Sequence, residues 1–315
     1  MSAQTLDSTT LTFEQREDAV RQLHSAIDLI RWSASTLAAA EVYCGHGFAD
    51  VVDESLHLVL HALSLPPGIP DSLLGGALTR AEREDIVALV AQRVSERKPI
   101  AYLTGVAHFA GLEFAVTEDV LVPRSPIAEL IESQFVPWVE PENVRRILEI
   151  GTGSGCIALA CASYFPWAEV VASDISSAAL AVANTNRTRH RLTEQVRLVR
   201  ADVFKTLDEV SDLGQFDLII SNPPYVTQAD FDAAPLEYHR EPQLGLLAGA
   251  DGLDIVHKIL ADAAKHLSDD GVLVVEVGAT RANLEAAYSD LPFSWPEFER
   301  GGDGVFVVER DALSL

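Results

Sequence analysis

The tetrapeptide NPPY, Asn222 to Tyr225, ends a strongly β-forming run, FDLIIS, and carries hydrogen-bond acceptors on a stiff backbone. The side-chain carbonyl of Asn222 and the main-chain carbonyl of Pro223 can each accept one N–H from a planar nitrogen. Two successive prolines, Pro223 and Pro224, add no competing donor and restrict the backbone. We expect Tyr225 to pack against the flat group or to line its approach. The segment therefore predicts a clamp for an amine or amide nitrogen.

A glycine-rich loop, EIGTGSGCIALA, follows another apolar run and opens a helix. Its glycines permit positive φ and close approach of a ligand, and the helix N-terminus behind them offers unpaired N–H groups. The G-x-G-x-G spacing by itself is also compatible with a simple tight turn. The loop residues that we expect to contact a nucleotide-like ligand are Gly151, Thr152, Gly153, Ser154 and Gly155.

Acidic residues at the ends of the next two apolar runs narrow the identity of that ligand. Asp174 is placed to accept hydrogen bonds from ribose hydroxyls, and Asp202 to meet an adenine amino group, although either alone would more often be a helix cap or a surface residue. The sequence has neither a lysine-bearing triphosphate loop nor the G-x-G-x-x-G pattern of dinucleotide folds. S-adenosyl-L-methionine, an adenosine compound without phosphate, therefore fits better than NAD or ATP. Glu149, just before the loop, is either support for it or a buried strand-end carboxylate.

Apolar runs that alternate with helical segments place these motifs in one sheet. The runs that predict buried strands are RRILEI, EVVASD, VRLVRAD, FDLIIS and GVLVVEV. FSWPEFER and GVFVVER predict two final strands joined at GGDG, so that the sheet carries an antiparallel strand. The pattern indicates an α/β fold with a seven-stranded, mostly parallel sheet of the Rossmann-like, doubly wound type. Because ligands lie beyond the carboxyl ends of parallel strands, we expect the motifs to meet at one crevice.

Three segments with different patterns of apolar and turn residues predict the domain organisation. Residues 1–98 have helical periodicity, with a capping box formed by Thr79 and Glu82, and indicate a small helical N-terminal domain. Residues 99–124 predict a connecting β-hairpin, and residues 125–315 the sheet domain.

The junction between the second and third segments carries its own signals. The stretch AYLTGVAHFAGLEFAV predicts the strands of the hairpin. Ser125 is predicted to cap a helix that has Pro126 in its first turn and runs to about Trp138.

Composition and charge limit the class of partner. The 315-residue chain has a formal net charge of −24 at pH 7, which disfavours direct nucleic-acid binding and either favours a basic partner or serves solubility. We expect a cytoplasmic protein without membrane association, since no uncharged apolar run reaches the ~20 residues of a spanning helix. Cys44, Cys156 and Cys161 are odd in number and predict buried, reduced thiols. His57 and His61 lie four residues apart without a third ligand nearby, so we expect no metal site.

Several motifs together resemble those of the protein-(glutamine-N5) methyltransferases, which are class I S-adenosylmethionine-dependent enzymes. The motifs are RKPIAYLTG, LVPRS, EIGTGSG, SDIS, NPPY and EPQLGLLAGADGLD, and the resemblance extends to GGDGVF. The residues that it implies as cofactor contacts are Gly151 to Gly155, Asp174, Asp202 and Asn222. Asn222 to Tyr225 are implied to hold the glutamine amide. NPPY alone would also admit adenine-N6 methyltransferases of DNA or RNA, and an inactive cofactor-binding scaffold is the alternative from a different class.

Within that family the resemblance favours the branch that modifies large-subunit ribosomal protein three. SPIAEL follows Arg124 where release-factor enzymes typically carry a proline, glutamate, threonine, glutamate run. The implied substrate is a glutamine of that ribosomal protein, recognised by the helical domain, and the Gly-Gly-Gln glutamine of release factors is the alternative. Val203, which we assign to the cofactor site, stands where release-factor enzymes can have a large aromatic residue. Arg124 is implied to position the hairpin or the cofactor, and Glu241 with Pro242 to line the substrate loop, with surface roles as the alternative.

Overall fold

The computed structural model describes residues 10–205, 207 and 213–314, so the predicted features that fall on residues 1–9 lie outside the described part. The chain forms two compact units. The helical unit comprises the chain up to Gly105 together with Pro235–Arg240, and the sheet unit comprises Val106–Ala234 and Glu241–Leu315. This division differs from boundaries at residues 98 and 124, because the hairpin belongs to the sheet unit and six residues after NPPY belong to the helical unit.

The longer helices of the helical unit have N-termini capped by polar side chains. Its helices are α1 (Phe13–Gln22), α2 (Ala26–Ala39), α3 (Val51–Ala62), α4 (Asp71–Leu74), α5 (Arg80–Glu96) and α6 (Ile100–Thr104). Thr12, Ser25 and Thr79 each form a capping box, which confirms the one predicted at Thr79. Leu29 and Leu58 are among the fully buried residues at the centre of the unit. Among the described residues, no helix combines the length and the apolar character that crossing a bilayer requires.

A buried ion cluster, formed by Glu54, Arg93, Arg97 and Glu237, lies inside the helical unit. Arg93 donates from Nε to Glu54 Oε1 at 2.6 Å and from Nη1 to Glu237 Oε1 at 3.1 Å. Arg97 donates from Nη1 to the same Glu237 oxygen at 3.3 Å. Glu237 belongs to the segment Pro235–Arg240, so these ion pairs fasten that segment to the helices.

The sheet unit contains a two-stranded hairpin and a six-stranded sheet flanked by helices. The hairpin strands are β1 (Val106–Phe109) and β2 (Leu112–Ala115). The sheet strands are β3 (Arg146–Ile150), β4 (Glu169–Asp174), β5 (Val196–Arg200), β6 (Phe216–Ser221), β7 (Leu267–Glu276) and β8 (Val305–Glu309). The helices are α7 (Ile127–Glu132), α8 (Cys156–Tyr164), α9 (Ser177–Arg189), α10 (Gln228–Ala233), α11 (Asp254–His266) and α12 (Arg281–Ala287).

The six strands form a doubly wound sheet in the order β5-β4-β3-β6-β7-β8. All neighbouring pairs are parallel except β7 with β8. Ile147 and Leu148, successive residues of β3, are fully buried in two different apolar clusters. Both faces of the sheet are therefore covered, as parallel sheets require. This confirms the Rossmann-like α/β class predicted from the alternating pattern.

The sheet has six strands within the described residues rather than the seven predicted. FSWPEFER contributes only an isolated bridge, between Ser294 and Val307. Pro296 follows closely and has no N–H for a longer ladder. Trp295 instead packs its ring on Phe306, with ring centroids 5.9 Å apart.

Two local predictions were also wrong. The helix after Ser125 ends at Glu132 rather than near Trp138, because Gln134 and Phe135 adopt positive φ values of 53° and 58°. The beginning of AYLTGVAHFAGLEFAV forms the end of α6 rather than a strand.

Candidate active site

The carboxyl edge of the sheet carries the predicted site residues side by side. Ile150 pairs with Ser173 on one side and with Ser221 on the other, and Ser221 pairs in turn with Val275. The residues that come next, on adjacent strands about 4.8 Å apart, are Gly151, Asp174, Asn222 and Glu276. The chain order reverses between β3 and β6, which is where doubly wound sheets bind ligands.

The glycine loop leaves open space next to its own backbone. Gly151 and Gly153 have φ values of +75° and +54°, and a Cβ built on either would have no atom within 4 Å. Gly155, at φ +84°, is different, because a Cβ there would lie 3.3 Å from both Ala183 and Leu159. The first two glycines thus serve a strained turn that faces open space, and the third permits α8 to pack closely on α9.

Asp174 closes the glycine loop onto β4. Its Oδ2 accepts a hydrogen bond from Gly153 N at 2.9 Å, and its Oδ1 accepts one from Ser176 N at 2.8 Å. Burial raises the pKa of Asp174 above its ordinary value, and the backbone N–H groups oppose that rise. Since a carboxylate oxygen has more than one lone pair, both oxygens retain capacity for a ligand.

Glu149 supports the same loop from inside the sheet unit. Its Oε2 accepts hydrogen bonds from Thr152 Oγ1 at 2.5 Å and from Ala158 N at 2.9 Å. Burial raises the pKa of Glu149 to about 8. The Thr152 hydroxyl is therefore turned inward, and Ser154 is buried as well, with its carbonyl accepting from Asn186 Nδ2 at 2.8 Å. Of the two interpretations of Glu149, the geometry supports the one in which it braces the loop.

The loop after β5 carries the other two predicted cofactor residues. Asp202 lies 3.4 Å from Lys258 Nζ of α11. Val203 is buried and adopts a φ of +55°, which is rare for a β-branched residue. A strained backbone at this position is held in place by its surroundings, since an isolated valine would not adopt it.

The NPPY segment is held by two glycines and by a short parallel bridge. Val226 N donates to Leu246 O at 2.8 Å, which joins the end of NPPY to the segment GLLAGADGLD. A Cβ on Gly252 would lie 2.4 Å from the carbonyl oxygen of Tyr225, and one on Gly278 would lie 2.7 Å from Cε2 of its ring. The Tyr225 main chain and ring therefore rest directly on glycine backbone, where a larger residue does not fit.

Glu276, a residue that sequence reasoning missed, ends β7 beside Asn222. The Tyr225 hydroxyl donates to Glu276 Oε1 at 2.9 Å, and the Ser125 hydroxyl donates to Glu276 Oε2 at 2.5 Å. Ser125 was predicted only as a helix cap, but the N-cap of α7 is Pro126, and Ser125 Oγ accepts from Ile127 N at 3.2 Å. The available signal was an acidic residue next to the end of the apolar run GVLVVEV, comparable to Asp174 at the end of EVVASD.

Within the sheet unit, the partly exposed Arg124 forms an ion pair with the buried Glu241. Arg124 donates from Nη1 to Glu241 Oε1 at 2.7 Å and from Nη2 to Oε2 at 2.5 Å. Val122 N donates to Glu241 Oε1 at 2.9 Å. Glu241 is buried, so the surface role considered for it is wrong. Its bidentate pairing fixes the beginning of the segment EPQLGLLAGADGLD.

The two segments SPIAEL and FERGGDG, far apart in sequence, meet in the structure. A Cβ on Gly302 would lie 2.8 Å from Pro126 Cβ, and the main-chain N–H groups of Glu299 and Arg300 both donate to the Glu129 carboxylate at 2.9 Å. Val277 N donates to Gly304 O at 2.6 Å. The two segments thus form one structural element next to the end of β7.

Comparisons with known proteins indicate the family to which this chain belongs. The family model described as "Methyltransferase small domain" matches residues 133–236. The ribosomal protein uL3 glutamine methyltransferase of Francisella tularensis subsp. tularensis (strain SCHU S4) is 44% identical over 302 residues, with 95% of each chain covered. That of Xylella fastidiosa (strain Temecula1) is 48% identical over 292 residues, with 92% of each chain covered. A solved methyltransferase structure from Pyrococcus furiosus is 22% identical, with 64% of this chain and 89% of that chain covered and a TM-score of 0.45.

The two curated relatives match this chain over nearly its whole length, and therefore over both the helical and the sheet unit. Their names agree with the glutamine methyltransferase motifs noted in the sequence. The chain is a methyltransferase, and it belongs to the family of ribosomal protein uL3 glutamine methyltransferases.

Proposed function

We propose that this enzyme transfers a methyl group from S-adenosyl-L-methionine to the side-chain amide nitrogen of a glutamine in large-subunit ribosomal protein uL3. The relatives that match over nearly the whole chain are named for that substrate. The formal net charge of −24 also supports it, because ribosomal proteins are basic and opposite charge accelerates encounter.

The observation that carries the proposal is the register between β3 and β6. Pairing of Ile150 with Ser221 sets the glycine loop and the NPPY segment next to each other where the chain order reverses. A methyl donor held at the loop then faces an acceptor nitrogen held by Asn222. Proximity and alignment of this kind account for a large part of the barrier reduction in bimolecular reactions.

The proposed cofactor site consists of main-chain groups and strand-end carboxylates. The open space at Gly151 and Gly153 fits a ligand that approaches the backbone closely, and Asp174 keeps lone pairs for ribose hydroxyls. We assign Asp202 and Val203 to the far side of this site. Thr152 and Ser154 contribute through their main chains, since both side chains are buried. When bound, S-adenosyl-L-methionine supplies a methyl group on a positively charged sulfur.

The proposed acceptor site uses carbonyl oxygens as its hydrogen-bond acceptors. The Asn222 side-chain carbonyl and the Pro223 carbonyl take one amide N–H each, which orients the nitrogen and opposes delocalisation of its lone pair. Pro223 and Pro224 keep the segment rigid, and Tyr225 packs beside the flat amide. As the N–C bond forms and the methyl–sulfur bond breaks, the nitrogen becomes strongly acidic, so its proton leaves to solvent without a dedicated base.

The test is peptide mass spectrometry of uL3 and of both release factors from cells with and without this gene. We expect one uL3 glutamine peptide to lose a methyl mass in the deletion strain, and expression of the wild-type gene to restore it. Expression of the Asn222→Ala variant should not restore it. A loss confined to the release-factor Gly-Gly-Gln peptide would overturn the proposed substrate, and unchanged masses on all three proteins would overturn glutamine methylation altogether.

A further inference from the structure

Two hydroxyl groups from distant parts of the chain meet on one buried carboxylate beside the NPPY segment. Glu276 is 4% exposed and accepts from the Tyr225 hydroxyl on one oxygen and from the Ser125 hydroxyl on the other, at 2.9 Å and 2.5 Å. The three residues come from the segment after β6, the end of β7 and the turn before α7. None of the roles in the proposed reaction uses either Glu276 or Ser125.

The contacts of Tyr225 leave its ring little freedom once the hydroxyl is held. One edge of the ring lies against Gly278, where a Cβ would come within 2.7 Å of it. The hydroxyl at the far end is tied to Glu276. A tyrosine has only two rotatable side-chain bonds, so contacts at both ends determine the orientation of the ring.

The Glu276 carboxylate also lies next to Asn222, the first residue of the NPPY segment. Ser221 pairs with Val275, so Asn222 and Glu276 leave β6 and β7 at neighbouring positions. A change in the hydrogen bonds of Glu276 therefore acts on Tyr225 directly and on the end of β6 through one strand spacing.

We propose that Glu276 and Ser125 are positioning residues for methyl transfer, in which the ionised Glu276 accepts from both hydroxyls and thereby holds Tyr225 and the NPPY segment in the reactive orientation. This inference rests on the proposed function for its reaction, although the hydroxyl–carboxylate network itself does not depend on which protein is methylated.

The protonation state of Glu276 decides whether both hydroxyls can be held. An ionised carboxylate only accepts, whereas a protonated one must donate its own proton, and one of the two hydroxyls then has to turn away. Burial raises the pKa of Glu276 to about 7, while Ser125, Tyr225 and the positive charge of Arg124 favour the ionised form.

Among the described residues, the charged or titratable groups that act on Glu276 are Tyr225 and Arg124, and Arg124 is itself paired with Glu241. The turn before α7 contributes Arg124, and the segment after β6 contributes Tyr225. On β8 the residue that pairs with Glu276 is the apolar Val305. Turnover should therefore fall as the pH decreases through about 7.

The first experiment measures kcat and KM of the full-length enzyme against pH, with undermethylated uL3 as the acceptor. We expect Glu276→Gln to abolish the acidic limb of the kcat profile and to lower the plateau by about tenfold or more, since small displacements of reacting groups have effects of that size. KM for S-adenosyl-L-methionine should stay within about twofold. Ser125→Ala should move the limb to higher pH because it removes a donor that favours the carboxylate, and Ser125→Thr, which keeps the hydroxyl, should restore it.

A matched control lies at the opposite end of the same two strands. The Ser268 hydroxyl donates to Asp217 Oδ1 at 2.8 Å, so Ser268→Ala removes a serine–carboxylate bond between β6 and β7 away from the NPPY segment. Its pH profile should match that of the wild type. An acidic limb that persists in Glu276→Gln, or a Ser125→Ala profile identical to that of Ser268→Ala, would overturn the proposal.

A second measurement separates this proposal from the choice of substrate. Infrared titration of the free enzyme should show two protonated-carboxyl components, one from Glu149 that disappears near pH 8 and one from Glu276 that disappears near pH 7. Only the second should be absent in Glu276→Gln, and it should persist to higher pH in Ser125→Ala. A Glu276 component unaffected by Ser125→Ala overturns the network whatever the substrate is. The expected band shift without any transfer to uL3 supports the network and overturns the proposed substrate instead.

Discussion

The buried carboxylates of the helical unit and those at the carboxyl edge of the sheet have different hydrogen-bond partners. In the helical unit, Glu54 and Glu237 share the guanidinium of Arg93, which is 1% exposed and also donates to the Tyr43 carbonyl at 2.8 Å. At the carboxyl edge of the sheet, Glu149 and Glu276 accept hydrogen bonds from hydroxyl and backbone N–H groups, and burial raises their pKa values to about 8 and about 7.

The difference follows from what each carboxylate does. An ion cluster neutralises its charges in place and fastens the segment that carries Glu237 to the helices. Within the described part of the chain, Glu149 and Glu276 accept only from hydroxyl and N–H groups, and they hold the glycine loop and the Tyr225 ring without a direct bond to a cation. Because no direct cation partner offsets their burial, their pKa values are raised and they gain a proton more easily. The first arrangement should therefore matter for stability, and the second for turnover and for its dependence on pH.

The largest expected effect comes from breaking the ion cluster. Arg93→Met leaves Glu54 and Glu237 buried without their shared guanidinium, which should lower the free energy of unfolding by about 3–5 kcal/mol. Urea denaturation of the full chain measures this. Combining Arg93→Met with Glu54→Leu and Glu237→Leu should recover part of the loss, because the only charge of the cluster that remains is Arg97, which still donates to the carbonyls of Glu41 and Ala40. A triple variant less stable than Arg93→Met alone would contradict this account.

The next effect is on turnover at the sheet edge. Asn222→Ala removes one of the two proposed acceptors for the amide and should reduce kcat by about 100-fold or more, comparable to the loss of one catalytic hydrogen bond elsewhere. Affinity for S-adenosyl-L-methionine, measured by calorimetry, should change little, and the unfolding midpoint should stay near that of the wild type. Unchanged kcat would contradict the clamp, and a large loss of stability would place Asn222 with the ion cluster rather than with the chemistry.

An effect that is smaller per pH unit should appear in the pH dependence of stability. The pKa of Glu149 is raised to about 8 in the folded protein, so its contribution to stability is complete below the ordinary pKa of 4.5 and is lost as the pH rises towards 8. In Glu149→Gln the fall in unfolding free energy between about pH 5 and pH 8 should be shallower, by up to about 1.4 kcal/mol per pH unit for one proton. Urea curves at several pH values test this, and parallel pH dependences of wild type and variant would contradict it.

The smallest effect is expected from an exposed ion pair in the same helix as Arg93. Arg80 and Glu84, one turn apart on α5, lie 2.7 Å from each other with both side chains largely exposed. Glu84→Gln should leave the unfolding midpoint without measurable change, because water screens such pairs and their ordering costs entropy. A loss comparable to that of Arg93→Met would mean that burial is not what distinguishes the two pairs.

The parts of the candidate site that could be predicted from the sequence are those that a local sequence pattern indicates. Apolar runs that end in a glycine loop, in Asp174 and in NPPY predict strand ends, and parallel strands bring their carboxyl ends to one edge. The capping box at Thr79 was predictable because it requires only residues three apart. FSWPEFER was misjudged as a strand because its aromatic residues fit a strand pattern, whereas Pro296 and packing on Phe306 reduce it to a single bridge.

The sequence by itself therefore determined the sheet class and the methyltransferase family, and it predicted which motifs meet at the carboxyl edge of the sheet. Only the tertiary structure brought Ser125 to Glu276, 151 residues away, and Glu237 into the helical unit, 144 residues after Arg93. A hydrogen bond between such distant residues leaves no periodic trace along the chain, because it depends on how strands and helices pack and not on the local preferences that form them. The residues that sequence reasoning missed are for that reason the ones joined by long-range contacts rather than those that form the motifs.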